Sequence, residues 1–236
     1  MHYSRNLTAI SRPFRLLTAV VLVGLSCGMP VDQLVAADEN GKNRWEASIQ
    51  KFEVADRRAF PPKHGVLFVG SSSIVGWDLG KHFPELPVIN RGFGGSQIAD
   101  SIYFAERIVL PYEPKTIVLY AGDNDIAAGK NAEQAHRDYQ KFVAKIHRAL
   151  PKTRIVFVAI KPSISRWNLI GEMRKANALI RATAKKDDRL IFVDIDTPMI
   201  DSDGKPRKGL FKSDGLHLNE RGYKLWSRLV RPHLSS

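Results

Sequence analysis

Residues 66–77 read VLFVGSSSIVGW: four apolar residues, Gly70, three serines, then Ile74, Val75, Gly76 and Trp77. A short unbroken apolar run suits a strand buried on both faces of a parallel sheet better than an alternating one would. Gly70 ends the run, and the serines stand where the chain leaves it. A hydroxyl there has two physical readings. It caps the next helix by accepting a backbone N–H, or it lies at the carboxyl edge of an open sheet, where such sheets bind ligands.

Four more apolar runs follow, at 87–90, 116–120, 154–160 and 190–193. Helical spacing fills the gaps, at about 97–109, 132–150 and 168–186, with a last helix at 219–234. Residues 43–60 form an earlier helix in which Trp45, Ile49, Phe52 and Ala55 share a face, stopped by Pro61-Pro62. Strands alternating with helices predict a doubly wound α/β chain, a three-layer α/β/α sandwich on a five-stranded parallel sheet.

The 236 residues are 44% hydrophobic and 25% charged, a globular composition. Residues 1–37 stand apart. Arg5, Arg12 and Arg15 precede or begin an apolar stretch at 16–27, and Val35-Ala36-Ala37 supplies small residues. This predicts a secretory signal peptide cut near Ala37, and hence a periplasmic or secreted protein. The stretch is short of the roughly 20 residues a membrane span needs. An uncleaved anchor is the alternative and the only membrane contact expected. Lipidation at Cys27 fits poorly, because Gly24 stands where an aliphatic residue is expected. Cys27 is the sole cysteine, so residues 38–236, read as one domain, hold no disulfide.

Net charge is +12, and about +10 without the leader's three arginines and Asp32. Such a surface suits nucleic acid, anionic lipid or acidic polysaccharide. The charges are scattered along the sequence, as in Arg57-Arg58, Lys185-Lys186 and 205–212. No basic helix interleaved with aromatics stands out, so nucleic acid is not an expected partner. A solvated basic face is the simpler reading.

The informative residues follow the apolar runs. They are Gly70-Ser71-Ser72-Ser73, the stretch 90–96 (NRGFGGS), Gly122-Asp123-Asn124-Asp125 and Asp214-Gly215-Leu216-His217. Together they offer a hydroxyl for attack, a histidine to take its proton, a carboxylate to hold the histidine and donors for an oxyanion. Each alone reads equally as a cap or a turn; their meeting at one sheet edge carries the argument. Other motifs fail. Ile74 breaks a G-x-S-x-G elbow, and Gln97 breaks a dinucleotide fingerprint. His64, His82, His136, His147 and His233 lack metal-ligand spacing, so no metal or cofactor is expected.

These four blocks resemble, in order, those of the SGNH hydrolases, also called GDSL-type esterases and lipases. The resemblance runs from Val66 to the last helix and implies that family's flavodoxin-like sandwich. Where the family's first block carries Asp, this chain has Ser71. Matching Gly70 to the family glycine makes Ser72 the nucleophile, with Ser71 as the alternative and Ser73 starting or capping the next helix. The resemblance further implies His217 as general base, Asp214 as its orienting carboxylate, and an oxyanion hole from the N–H groups of Ser72 and Gly95 and the amide of Asn124.

The stretch 161–167 should border such a site, which makes Ser163, Arg166 and Trp167 candidate substrate contacts, along with Trp77 and Arg91. Packing is the simpler role for Trp77, and solvent exposure for Arg166. No long hydrophobic lid segment is present, which points to small acyl esters such as O-acetylated carbohydrates. A lysophospholipase, a thioesterase, an O-acyltransferase using the same residues and a noncatalytic binding module are the rivals. The sequence leaves the oligomeric state open.

Overall fold

The sheet is built outward from the opening stretch. In this computed structural model, residues 44–234 are described; the leader read at 1–37 lies outside them. From the N-terminal side, the chain forms α1 (Glu46–Arg58), β1 (Val66–Gly70), α2 (Ser72–Val75), α3 (Leu79–His82), β2 (Val88–Gly92) and α4 (Ile98–Ile108). It continues through β3 (Thr116–Tyr120), α5 (Asp123–Ala127), α6 (Ala132–Ala149), β4 (Arg154–Val158), α7 (Ile170–Ala184), β5 (Leu190–Val193) and α8 (Glu220–Val230). The five strands are all parallel, in the order β2-β1-β3-β4-β5.

Apolar residues on consecutive strand positions point to opposite faces, and here both faces are buried. Leu67 and Val69 of β1 join Ile117, Leu119, Ile155 and Phe157 in a core shared with α1, α4, α6 and α7. Val66 and Phe68 join Val118, Tyr120, Val156 and Val158 in a second core, closed by α8 through Tyr223, Trp226 and Val230. Each fully buried side chain of this size stabilises the fold by about 1.5–3 kcal/mol. The sandwich is the expected one.

Trp77 belongs to the second core and not to the site. It is 1% exposed, and its ring lies 5.3 Å from Phe68, 5.9 Å from Phe83, 5.8 Å from Tyr223 and 5.6 Å from Trp226. Its indole N–H donates to Ser227 Oγ at 2.9 Å. A tryptophan just past a strand packs between sheet and helix unless a loop lifts it clear, and here α2 and α3 hold it down.

Several boundaries differ from the sequence reading. β2 runs two residues further than expected, pairing Arg91 with Val69 and Gly92 with Gly70. Arg91 is therefore a strand residue, 8% exposed, that donates to Asp56 Oδ1 at 2.5 Å and to Tyr112 Oη at 2.7 Å. It clamps α1 to the sheet edge and does not line a substrate site. β4 stops at Val158 because Asn177 of α7 captures both the N–H and the C=O of Ile160, at 2.8 and 3.0 Å. The expected helix at 43–60 is shorter, and its Ala55 is exposed. α2, α3 and α5 have four or five residues each, too few to show a period.

The order 2-1-3 places a topological switch point between the carboxyl ends of β1 and β3, where open sheets bind ligands. Gly70 ends β1 opposite Tyr120, with φ of +133°. A Cβ at Gly70 would stand 1.9 Å from the Tyr120 carbonyl oxygen, so only glycine lets the chain turn here into the serines.

Candidate active site

Ser71 leaves the sheet first. Its N–H donates to the Tyr120 carbonyl, and its own carbonyl accepts from Ile74 and Val75 at the start of α2. It is the buried N-cap of α2, though its hydroxyl does not cap the helix. Ser73, expected to start or cap the next helix, is not its cap but its second residue. It lies inside α2, buried, with its Oγ unpartnered. Ser72 alone of the three meets His217, whose Nε2 lies 3.1 Å from Ser72 Oγ.

His217 and Asp214 sit in a tight loop tied off by the Phe211–Leu218 bridge and by the Lys212 N–H bonded to the His217 carbonyl at 2.8 Å. Asp214 Oδ1 accepts the N–H groups of Leu216 and His217, both at 2.9 Å, and Oδ2 lies 2.6 Å from His217 Nδ1. Hydrogen bonding from the imidazole, then from these two backbone groups, holds the Asp214 carboxyl well below the usual carboxylate range. An ionised carboxylate only accepts, so the proton of neutral His217 is on Nδ1 and Nε2 offers its lone pair to the Ser72 hydroxyl. Directly after the loop, Asn219 caps α8 by accepting the N–H groups of Arg221 and Gly222, which fixes the chain's exit.

Opposite this loop stands the turn at Gly94-Gly95-Ser96. Trp45 Nε1 donates to the Gly94 carbonyl at 2.8 Å and Arg44 to the Gly95 carbonyl at 3.1 Å. Asn124 Nδ2 donates to the Ser96 carbonyl at 3.0 Å. With its carbonyls held from behind, the turn leaves the Gly95 N–H without a protein partner among the described residues, like that of Ser72. Gly95 has φ of +77° and open space around its missing Cβ, so conformation, not crowding, calls for glycine there.

Behind Asn124 lies a buried ionic cluster that sequence reasoning missed. Lys161, 2% exposed, reaches Asp123 Oδ2 at 2.5 Å and Tyr120 Oη at 3.0 Å. Arg166 pairs through one nitrogen with Asp123 Oδ1 and donates to Asn124 Oδ1 at 3.0 Å. Burial alone would raise the Asp123 pKa, but the Lys161 and Arg166 cations outweigh it and hold the carboxyl below its ordinary value. Burial, and then the Asp123 charge, push the Tyr120 hydroxyl far up, so it stays a neutral donor. The only sequence signal was a lysine directly after an apolar run and an Asp in the open position of Gly-x-Asn-Asp.

The stretch 161–167 borders the site as expected, through the backbone more than through side chains. The N–H groups of Ile164 and Ser165 both donate to the Gly215 carbonyl, at 2.9 and 3.1 Å. One segment thus braces the His217 loop while its Arg166 braces Asn124. Ser163 is buried with its Oγ unpartnered, and so does not present its hydroxyl to a cleft. Trp167 is half-buried, its ring flanked by Arg174 and Lys205. Among the described residues, no group of three or more His, Cys, Asp or Glu is placed to hold a metal ion.

The family model of the GDSL-like lipases/acylhydrolases matches residues 68–225, from β1 into α8, and so takes in every loop described above. No curated protein matches the sequence significantly. Among solved structures, a protein of Streptococcus pneumonia is 21% identical over 86% of this chain and 99% of its own, with a TM-score of 0.73. A GDSL-like lipase of Bacteroides thetaiotaomicron is 21% identical over 80% and 97%, with a TM-score of 0.69. A catalytic mutant of an acetylxylan esterase from Geobacillus stearothermophilus is 14% identical over 74% and 95%, with a TM-score of 0.59. At these identities the structures attest the fold, and the family model carries the assignment: the chain belongs to the GDSL-like lipase/acylhydrolase family and is a carboxylic ester hydrolase.

Proposed function

We propose that this enzyme cleaves small acyl esters, foremost acetyl esters of carbohydrates, through an acyl-enzyme on Ser72. The observation that carries the reading is His217 bridging Ser72 Oγ and Asp214 Oδ2 at the switch point of the sheet. In the first step the Ser72 hydroxyl loses its proton to His217 Nε2 while Oγ bonds to the ester carbonyl carbon. His217 then gives that proton to the departing alcohol oxygen. Asp214 stays ionised, fixes the tautomer and stabilises the transient imidazolium. The N–H groups of Ser72 and Gly95 and the second N–H of Asn124 Nδ2 face the developing oxyanion, each donor worth about 10²–10³-fold in turnover. Water, activated by His217, releases the acid.

Two observations favour hydrolysis of a small acyl ester. The His217 and Asp214 side chains are 37% and 47% exposed, so the site is open and gives water access, which favours hydrolysis over acyl transfer to another alcohol. Two similar folds are an acetylxylan esterase and an acetyl esterase. In this reading the reaction takes place outside the cytoplasm, which the leader-like sequence at 1–37 supports.

Ser72→Ala is expected to abolish p-nitrophenyl acetate hydrolysis while leaving the thermal unfolding midpoint in place. Retained activity there, with Ser71→Ala inactive, would move the nucleophile by one residue. A panel of p-nitrophenyl esters should show activity falling as the acyl chain lengthens, and acetylated polysaccharides should release acetate. A preference for long chains would replace the acetyl reading with a lipase-like one.

A further inference from the structure

The charges that look scattered in the sequence are gathered by the fold. After Glu220, the exposed positions of α8 are Arg221, Lys224 and Arg228, and Arg231 follows just beyond its end. The helix face between them is buried through Tyr223, Leu225, Trp226 and Val230. With Lys81 of α3 and Arg207, these four cations line one groove of about 720 Å³ that has no acidic residue in its lining. At a rise of 1.5 Å per residue the helical stripe is about 15 Å long.

Two observations argue that the stripe is more than a solvated face. Arg221, Lys224 and Arg228 have no ion pair among the described residues; Lys81 and Arg231 do, with Glu220 and Glu85 at the margins. Like charges at such spacing repel. Arg228 and Arg231 suit the carboxyl end of a helix, but Arg221 stands in the first turn, where the helix dipole disfavours a cation, and Lys224 stands between two like charges. Their placement costs the helix stability and concentrates positive potential in a concave surface.

From this groove we infer a binding site for a linear anionic polysaccharide, its carboxylate or sulfate groups meeting the α8 stripe. No Phe, Tyr or Trp lines the groove, and the one ring in it, His82, is only 9% exposed, so it offers little platform for stacking bases. The lining leucines, Leu210 and Leu225, are buried, and none of the large exposed apolar residues belongs to the groove, so it offers nothing to insert into a bilayer. A glycan bearing one charge per sugar can follow the stripe while its hydroxyl-rich backbone stays hydrated. The site is separate from Ser72 and His217, and its existence does not depend on the ester-hydrolase chemistry.

The test compares two triple variants of equal charge in the full-length protein: Arg221→Gln/Lys224→Gln/Arg228→Gln in the groove, and Lys141→Gln/Lys185→Gln/Lys186→Gln elsewhere. Binding to polygalacturonate, dextran sulfate and neutral dextran is measured across a salt series, with p-nitrophenyl acetate turnover in parallel. The expected result is salt-sensitive binding to one or both anionic glycans and none to dextran. The groove variant should bind at least tenfold more weakly, the distal variant within twofold of wild type, and turnover should be unchanged in both. Equal losses in the two variants would reduce the effect to net charge and overturn the site. Tighter binding to single-stranded DNA or to anionic lipid vesicles than to either glycan would overturn the choice of partner.

Discussion

Two carboxylates flank the proposed reaction centre, and their surroundings are opposite. Asp214 is nearly half exposed and is held ionised by His217 and two backbone N–H groups. Asp123 is buried, and is held ionised by Lys161 and Arg166 against the pull of burial. Water solvates an exposed carboxylate nearly as well as a partner does, so Asp214 adds little to the fold. In the proposed mechanism its worth lies in the direction it gives the imidazole. Asp123 anchors two cations, one of them buried, and removing it strands the Lys161 charge in the interior. In the proposed mechanism one carboxylate serves the chemistry and the other the framework that aims it.

Substitutions should pull the two apart. Asp214→Asn is expected to lower kcat by about 10⁴-fold, because an amide lets the wrong imidazole tautomer form. Its unfolding midpoint in urea should barely move. A kcat within tenfold of wild type would mean that Asp214 does not set the tautomer. Asp123→Asn should do the reverse, destabilising the fold by about 3–5 kcal/mol at neutral pH, as expected when one partner of a buried pair is lost. Turnover per folded molecule should fall far less than in Asp214→Asn. The pH dependence follows from the direction of the shift. The folded pKa lies below the unfolded one, so the stability that Asp123 contributes is complete above the unfolded carboxylate range, about pH 4, and is lost as pH falls through the folded value. The stability gap between wild type and Asp123→Asn, read by denaturant titration, should be constant from neutral pH down to about pH 5 and close below pH 4. A gap that stays open in acid would show that the cations do not act through the Asp123 charge.

The same contrast marks how far the sequence could be read. The strands and the chain order of the four blocks were legible, because buried parallel strands leave unbroken apolar runs and the site lies where they end. The Asp214–His217 pair was legible too, since three residues in one turn make the contact local. Lys161, Arg166 and Asp123 meet across 38 and 43 positions of chain. Nothing in a run of residues signals that a lysine just past one strand will be buried against an acid that follows another. Arg91 and Trp77 misled for a related reason. An arginine or tryptophan beside a glycine-rich loop looks available for substrate until β2 proves longer and α8 closes over the indole. The α8 stripe was hidden because its cations are three and four residues apart, with aromatics between them that face the other way.

Arg166 joins the two halves of the comparison, since one of its nitrogens serves both Asp123 and the carbonyl oxygen of Asn124. An amide can present either end to the oxyanion, and only the nitrogen end helps. A cation at Oδ1 and the Ser96 carbonyl at Nδ2 hold the amide in one orientation. Arg166→Ala should therefore lower kcat about tenfold, or about 1.4 kcal/mol of transition-state stabilisation, with KM for a neutral ester little changed. Oxyanion contacts count mostly in the transition state, which is why the loss should fall on kcat. Arg166→Lys should recover most of it, because an ammonium can still donate to Oδ1. If KM rises instead and kcat holds, Arg166 touches the substrate directly, and the buried cluster stabilises the fold without reaching the chemistry.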